Sequence, residues 1–278
     1  MSEKTIVFVG KHNVRQDNTR WFYGKIWKKN AEELGYSSKF NDLHGLTKND
    51  VVIFDKYILM PEAMKALSAK KVLFYPDVFE NNPSNEYLYN RFYVLMQSVN
   101  YIDALFIPPN KVLLEQLRST LSIPVYPVMF GVYTHFFSFI QNRFPQKRYD
   151  LGYCWLLGSQ KRDQQAYTLR AKHVLGHGQQ MMDNSRPFQY MLNAHYSYLL
   201  NNEQRLTEIP LSFAIPVSEP LGMPEQLADL QYVPIDEYKP GMFSKKEYKQ
   251  IVRHNLRVVI EKYNSRTSLQ QILKNIAQ

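Results

Sequence analysis

The chain has 278 residues, 45% apolar and 21% charged, enough for a sizeable core and two ordinary domains and incompatible with a disordered polymer. Its net charge of +9 favours polyanionic partners, such as nucleic acid, a phosphorylated ligand or an anionic surface. One cysteine, Cys154, excludes a disulfide framework and a cysteine-based zinc site, and no apolar run reaches the roughly 20 residues that cross a bilayer, so a cytoplasmic protein is expected.

In chain order, TIVFVG (5–10) reads as a strand stopped by Gly10. Trp21, Phe22, Ile26, Trp27, Ala31 and Leu34 then recur at helical spacing up to Gly35. VVIF (51–54), VLFY (72–75), ALFIP (104–108) and PVYPV (124–128) read as further strands. Helices are expected over EAMKALSA, from Tyr87 to Val99, and over NKVLLEQLRSTL. These near-continuous apolar strands, alternating with helices, predict a parallel sheet covered on both faces. Such a sheet binds ligands beyond the carboxyl ends of its strands.

Residues 132–149, aromatic and basic with no clean period, read as a linker between an N-terminal domain, 1–131, and a C-terminal domain, 150–278. The alternation then restarts. DLGYCWLL (150–157) is a strand and 161–172 a helix; PFQYMLNA is a helix, YSYLL (196–200) a strand, TEIPLSFA a helix and IPVSE a strand. A long amphipathic helix follows Ser244, with Glu247 three residues on as its capping-box partner. The expected fold class is α/β, two doubly wound, Rossmann-like domains facing across a cleft, with the last helix crossing back. Clefts of this kind collect small-molecule sites.

Three stretches carry a family resemblance. IDALFIPPNKVLLEQLRSTLSIPVYPVMFGVYTHFF resembles the end of the N-terminal domain of GT-B glycosyltransferases, including their P-x-G-V-D-x-x-x-F crossover. YDLGYCWLLGSQKRDQ resembles the opening of the C-terminal domain. RLTEIPLSFAIPVSEP resembles the R-x-x-E-x-L-x-x-G-x-P-V donor motif. The chain departs from the pattern at Ala214, in place of the motif glycine, and at Tyr133, in place of the crossover aspartate. One extra residue also separates Glu208 from Pro216.

The resemblance implies a glycosyltransferase using a nucleotide-sugar co-substrate, expected to be a UDP-sugar, with no other cofactor and no metal. Its donor site would comprise Gly158, Ser159, Lys161, Arg162, Arg205, Thr207 and Glu208. Glu208 would accept the ribose hydroxyls. Arg205 and Thr207, with a helix N-terminus, would hold the phosphates. Lys161 and Arg162 would offset charge on the departing diphosphate.

A base that deprotonates the acceptor is expected after a strand of the first half, either His12 or Asp77, with Asp55 a third candidate; a retaining enzyme needs none. Gly10, Lys11, Arg15 and Arg20, interleaved with aromatic residues, are the candidate acceptor-binding set. Two acceptors stay open. One is a hydroxymethylated base flipped from double-stranded DNA, as for phage DNA-base glycosyltransferases. The other is a lipopolysaccharide or capsule glycan. A protein that binds nucleotide sugars without catalysis is the third reading.

Overall fold

The computed structural model describes residues 4–10, 19–55, 64–75, 86–129, 131–140, 143–154, 160–176, 178–194 and 203–277. The chain divides into two compact units, one of residues 1–128 with 268–278, the other of residues 129–267.

The first unit is built on a parallel sheet of order β2-β1-β3-β4-β5-β6. Its strands are β1 (Thr5–Val9), β2 (Ser37–Phe40), β3 (Val51–Asp55), β4 (Lys70–Phe74), β5 (Ala104–Ile107) and β6 (Val125–Pro127). The described helices between them are α1 (Thr19–Glu33), α2 (Glu86–Val99) and α3 (Lys111–Thr120). The central strands are apolar on both sides, and Ile6, Val7, Val52, Val72, Leu73, Leu105 and Phe106 are all buried, as a sheet covered by helices requires. Helix α3 shows how local chemistry sets its boundary. The Asn110 side chain accepts from the Leu113 N–H at 3.0 Å, which fixes the first turn, and Leu113, Leu114 and Leu117 then face the core. Strand β2, SSKF, has no apolar alternation and is not legible in the sequence; its pairing with β1 along Thr5–Phe8 creates it.

The second unit holds a parallel sheet of order β11-β10-β9-β7-β8. Its strands are β7 (Tyr149–Tyr153), β8 (Lys172–His173), β9 (Phe188–Asn193), β10 (Ile215–Ser218) and β11 (Val233–Pro234). Helices α4 (Gln160–Thr168), α5 (Gly178–Ser185), α6 (Glu203–Glu208) and α7 (Lys245–Glu261) accompany them, and α8 (Ser265–Ile276) closes the described chain. PFQYMLNA, read as a helix, is the central strand β9, paired on one side with β7 and on the other with β10. Tyr190, Met191 and Leu192 are buried because β9 is covered on both faces, and such a short continuous apolar run has no period that separates strand from helix. The capping box at Ser244 and Glu247 forms as expected and starts α7.

Residues 132–149, read from the sequence as a linker, lie in the second unit. Val132 donates to the Tyr263 carbonyl and accepts from the Ser265 N–H, both at 2.8 Å. Gly131 takes φ +49°, and a Cβ there would stand 2.6 Å from the Asn264 backbone nitrogen, so only glycine fits this crossing. Helix α8 begins in the second unit and ends in the first, where the Ile276 carbonyl accepts from the Lys70 ammonium and Gln271 donates to the Pro127 carbonyl at 3.3 Å. The expected strand YSYLL lies outside the described residues. No helix among the described residues is long and apolar enough to cross a membrane.

Candidate functional site

In a doubly wound sheet the strand order reverses at one point, and the loops leaving the two strands there diverge to opposite faces and leave a crevice. In the second sheet that point lies between β7 and β9, because β8 is added on one side of β7 and β9, β10 and β11 on the other. The donor residues expected from the sequence follow these two strands: Lys161 and Arg162 on α4 after β7, and Arg205, Thr207 and Glu208 on α6 after β9.

Arg205 is the link across the switch point. Its Nη1 donates to the carbonyl of Cys154, just beyond β7, lies against Cys154 Sγ, and stands 3.6 Å from Met181 Sδ. Burial pushes the Cys154 thiol up, against the opposing pull of the Arg205 guanidinium, which disfavours the thiolate. The negative charge of Glu208 is felt at Arg205. Thr207 is fully buried. Glu208 does not sit in the first turn of a helix: it is the last residue of α6 and leads into a 3₁₀ turn, Ile209–Ser212, with Pro210 in its opening positions. Proline is accepted there because the first turn leaves its N–H groups without helical partners. Phe213, at φ +59°, then reverses the chain into β10.

A second cluster joins α4 to the end of β10. Lys161 Nζ lies 2.8 Å from Glu219 Oε1, and Gln165 Nε2 donates to the same oxygen at 2.7 Å. Glu219 is buried, and its N–H reaches back to the Asn193 carbonyl at the end of β9 (3.4 Å). Asn193 Nδ2 donates to Ser218 Oγ at 3.0 Å. Asn193, Ser218 and Glu219 thus line the carboxyl ends of neighbouring strands. Sequence reasoning missed Glu219, Gln165 and Asn193. The one available signal for Glu219 was its position directly after the apolar run IPVS, where a sheet of this type displays functional side chains. The arrangement offers cations, carboxylates and amides at one crevice, a donor and acceptor set suited to a phosphorylated and hydroxylated ligand.

Of the acceptor-side residues, Gly10 is described, and both its backbone groups are taken by one side chain. Its N–H donates to Asn41 Oδ1 at 2.9 Å, and its carbonyl accepts from Asn41 Nδ2 at 3.0 Å. His12, Asp77, Lys11, Arg15, Gly158 and Ser159 lie outside the described residues, as do the side chains of Arg20 and Asp55. Among the described residues no group of three or more His, Cys, Asp or Glu side chains could hold a metal ion.

No protein-family model and no curated protein matches the sequence. Solved structures do match in three dimensions. An α,α-trehalose-phosphate synthase (UDP-forming) from Burkholderia xenovorans, in complex with glucose-6-phosphate, is similar at TM-score 0.54 and 11% identity, over 95% of this chain and 80% of that one. The N-terminal domain of a trehalose-6-phosphate phosphatase from Candida albicans is similar at TM-score 0.55 and 10% identity, over 96% and 77% of the two chains. A point mutant of S. aureus TarM, in complex with Fondaparinux, alpha-GlcNAc-glycerol and UDP, is similar at TM-score 0.51 and 11% identity, but this chain spans only 56% of it. At these identities the likeness carries the fold: an α/β chain with two parallel, Rossmann-like sheets of the GT-B type.

Proposed function

We propose that this protein is a glycosyltransferase that takes a sugar from a nucleotide-sugar donor held by its second unit. The observation that carries the reading is the meeting of Arg205 with the end of β7 at the switch point of the second sheet, with Lys161 and Glu208 on the helices that leave the same two strands. The likeness to a UDP-forming synthase and to TarM with UDP bound supports a uridine diphosphate sugar as donor.

In this reading Arg205 and Lys161 face the diphosphate, with Gly158, Ser159, Arg162 and Thr207 beside them. Glu208 accepts the ribose hydroxyls. Lys161 is held by Glu219 at 2.8 Å, so a phosphate oxygen competes with that carboxylate for the ammonium. The acceptor oxygen attacks the anomeric carbon, the bond from that carbon to the diphosphate oxygen breaks, and the cations take up the charge that develops on the leaving group. If the reaction inverts the sugar, the acceptor proton passes to His12 or Asp77 of the first unit, whose Gly10, Lys11, Arg15 and Arg20 then face the acceptor. The net charge of +9 supports a polyanionic acceptor, and a hydroxymethylated base in double-stranded DNA is the acceptor we put first.

The test is a thermal-shift and turnover assay with uridine and guanosine diphosphates and their sugars. Stabilisation by a diphosphate and release of it from the sugar donor are expected, both much reduced in Glu208→Ala. Equal stabilisation of the two proteins removes Glu208 from the site. Stabilisation without release of diphosphate leaves a binding protein in place of an enzyme. Incubation with hydroxymethylcytosine DNA and donor then reads the acceptor: a mass gain of one sugar supports DNA, and no gain beside active donor turnover rejects it.

A further inference from the structure

The amino edge of the second sheet, one strand length from the candidate site, holds a cavity of about 520 Å³. Its lining combines Lys147, Lys245 and Lys249 with the rings of Phe144, Phe243 and Tyr248 and the amides of Gln146 and Gln189, with Pro145, and includes no acidic residue. The volume lies within the roughly 300–1,000 Å³ of small-molecule pockets.

The charges there are not neutralised by carboxylates. Lys147, just before β7, spends its ammonium donors on backbone oxygens, those of Arg186 and Phe188 at 2.7 Å and of Ser212 at 3.4 Å. Lys249 and Arg253 point their charges at the Phe144 ring, 5.7 Å and 5.4 Å from its centre. Neither Lys245 nor Lys249 makes an ion pair among the described residues. The walls are fixed: Phe144 packs edge-on against Phe213, and the Tyr248 hydroxyl donates to the Phe213 carbonyl.

We propose that this cavity is a second ligand site, for a phosphomonoester attached to a ring. Lys245 and Lys249 supply donors to the phosphate, the aromatic walls take the ring face, and Gln146 and Gln189 meet ring hydroxyls or exocyclic groups. A sugar phosphate and a nucleoside monophosphate share this chemistry. Lys147 contributes field and not contact, since its donors are occupied. Burial, with the nearby Arg186 charge, lowers its pKa to about 7. The other charged or titratable groups around it are Tyr248, held neutral by burial, Lys245 and Lys249; Asp183 is turned to Arg186 at 3.2 Å. A bound anion favours charged Lys147, so affinity must fall as pH rises through 7.

Calorimetric titration of the full chain with glucose 6-phosphate, uridine monophosphate, inorganic phosphate and glucose tests this. At least one ring phosphomonoester is expected to bind at least tenfold more tightly than inorganic phosphate, with glucose silent; which one binds names the source. The double variant Lys245→Glu, Lys249→Glu, at exposed or partly exposed positions, is expected to lose at least tenfold in affinity, and Lys161→Ala at the opposite edge to keep it. Failure of both ring compounds to bind overturns the proposal, as does an unchanged affinity in the double variant. Loss of binding in Lys161→Ala places the ligand in the donor site and overturns it equally, while leaving the glycosyltransferase reading intact.

Discussion

The two edges of the second sheet handle positive charge in opposite ways. At the carboxyl edge two cations sit near carboxylates: Lys161 is paired with Glu219, and Arg205 feels Glu208. At the amino edge Lys147 is held by carbonyl dipoles, and Lys245 and Lys249 have no carboxylate partner among the described residues. The difference follows from the parallel strands. At the amino edge the carbonyls of Arg186, Phe188 and Ser212, near the starts of β9 and β10, lie within reach of one lysine ammonium. At the carboxyl edge the helices that follow bring their own side chains, so charges can be matched pairwise. A neutralised cation is an exchangeable one: a ligand phosphate can replace the carboxylate. An unneutralised cation attracts an anion from the start.

The largest expected effect is at Arg205. Arg205→Met leaves the Cys154 carbonyl without its donor and the Glu208 charge without its neighbour, and should lower unfolding free energy by about 3 kcal/mol in denaturant titration. A loss near zero would mean that the carboxyl edge does not depend on this contact.

Lys147→Met comes next. Three carbonyls lose a donor, at a cost of about 2 kcal/mol at pH 7. The sign of the pH effect separates charge from hydrogen bonding. Between about 7 and the ordinary lysine value of 10.5 the unfolded chain binds a proton at Lys147 that the folded chain does not, so the wild type gains stability as pH rises across that window. The free-energy gap between wild type and variant should therefore widen from pH 7 to pH 9. A constant gap would show an ammonium that is not strained by burial.

The smallest effect is expected at Glu219. Glu219→Gln keeps the hydrogen bonds to Lys161 and Gln165 but removes the charge, at about 1 kcal/mol, because Lys161 remains partly exposed. If Lys161 serves a diphosphate, the same variant should bind uridine diphosphate several-fold more tightly, read by calorimetry. Weaker binding would make Glu219 part of the ligand contact and not a competitor for it.

What was legible in the sequence depended on range. Strands β1, β3 and β5 are runs of β-branched and aromatic residues that declare a buried parallel strand locally, and the Ser244 and Glu247 cap needs only three residues of context. Strand β9 was misread because its apolar run, Tyr190–Leu192, is too short to show a period, and its neighbours β7 and β10 decide its conformation. Glu219 escaped because its partners, Lys161 and Gln165, are more than fifty residues away and nothing near it in the chain announces a pairing. The setting of Lys147 escaped for a stronger reason: its partners are backbone oxygens, which carry no sequence signature.

The route of α8 bears on how such a chain is made. Residues 268–278 complete the first unit, yet they are synthesised after the whole of the second. Domains commonly fold in order as they leave the ribosome. Here the earlier half must wait, with the Lys70 ammonium and the Pro127 carbonyl still lacking the partners that Ile276 and Gln271 bring. Those contacts can close only once residues 129–267 have been made, so completion of the first unit is tied to synthesis of the second.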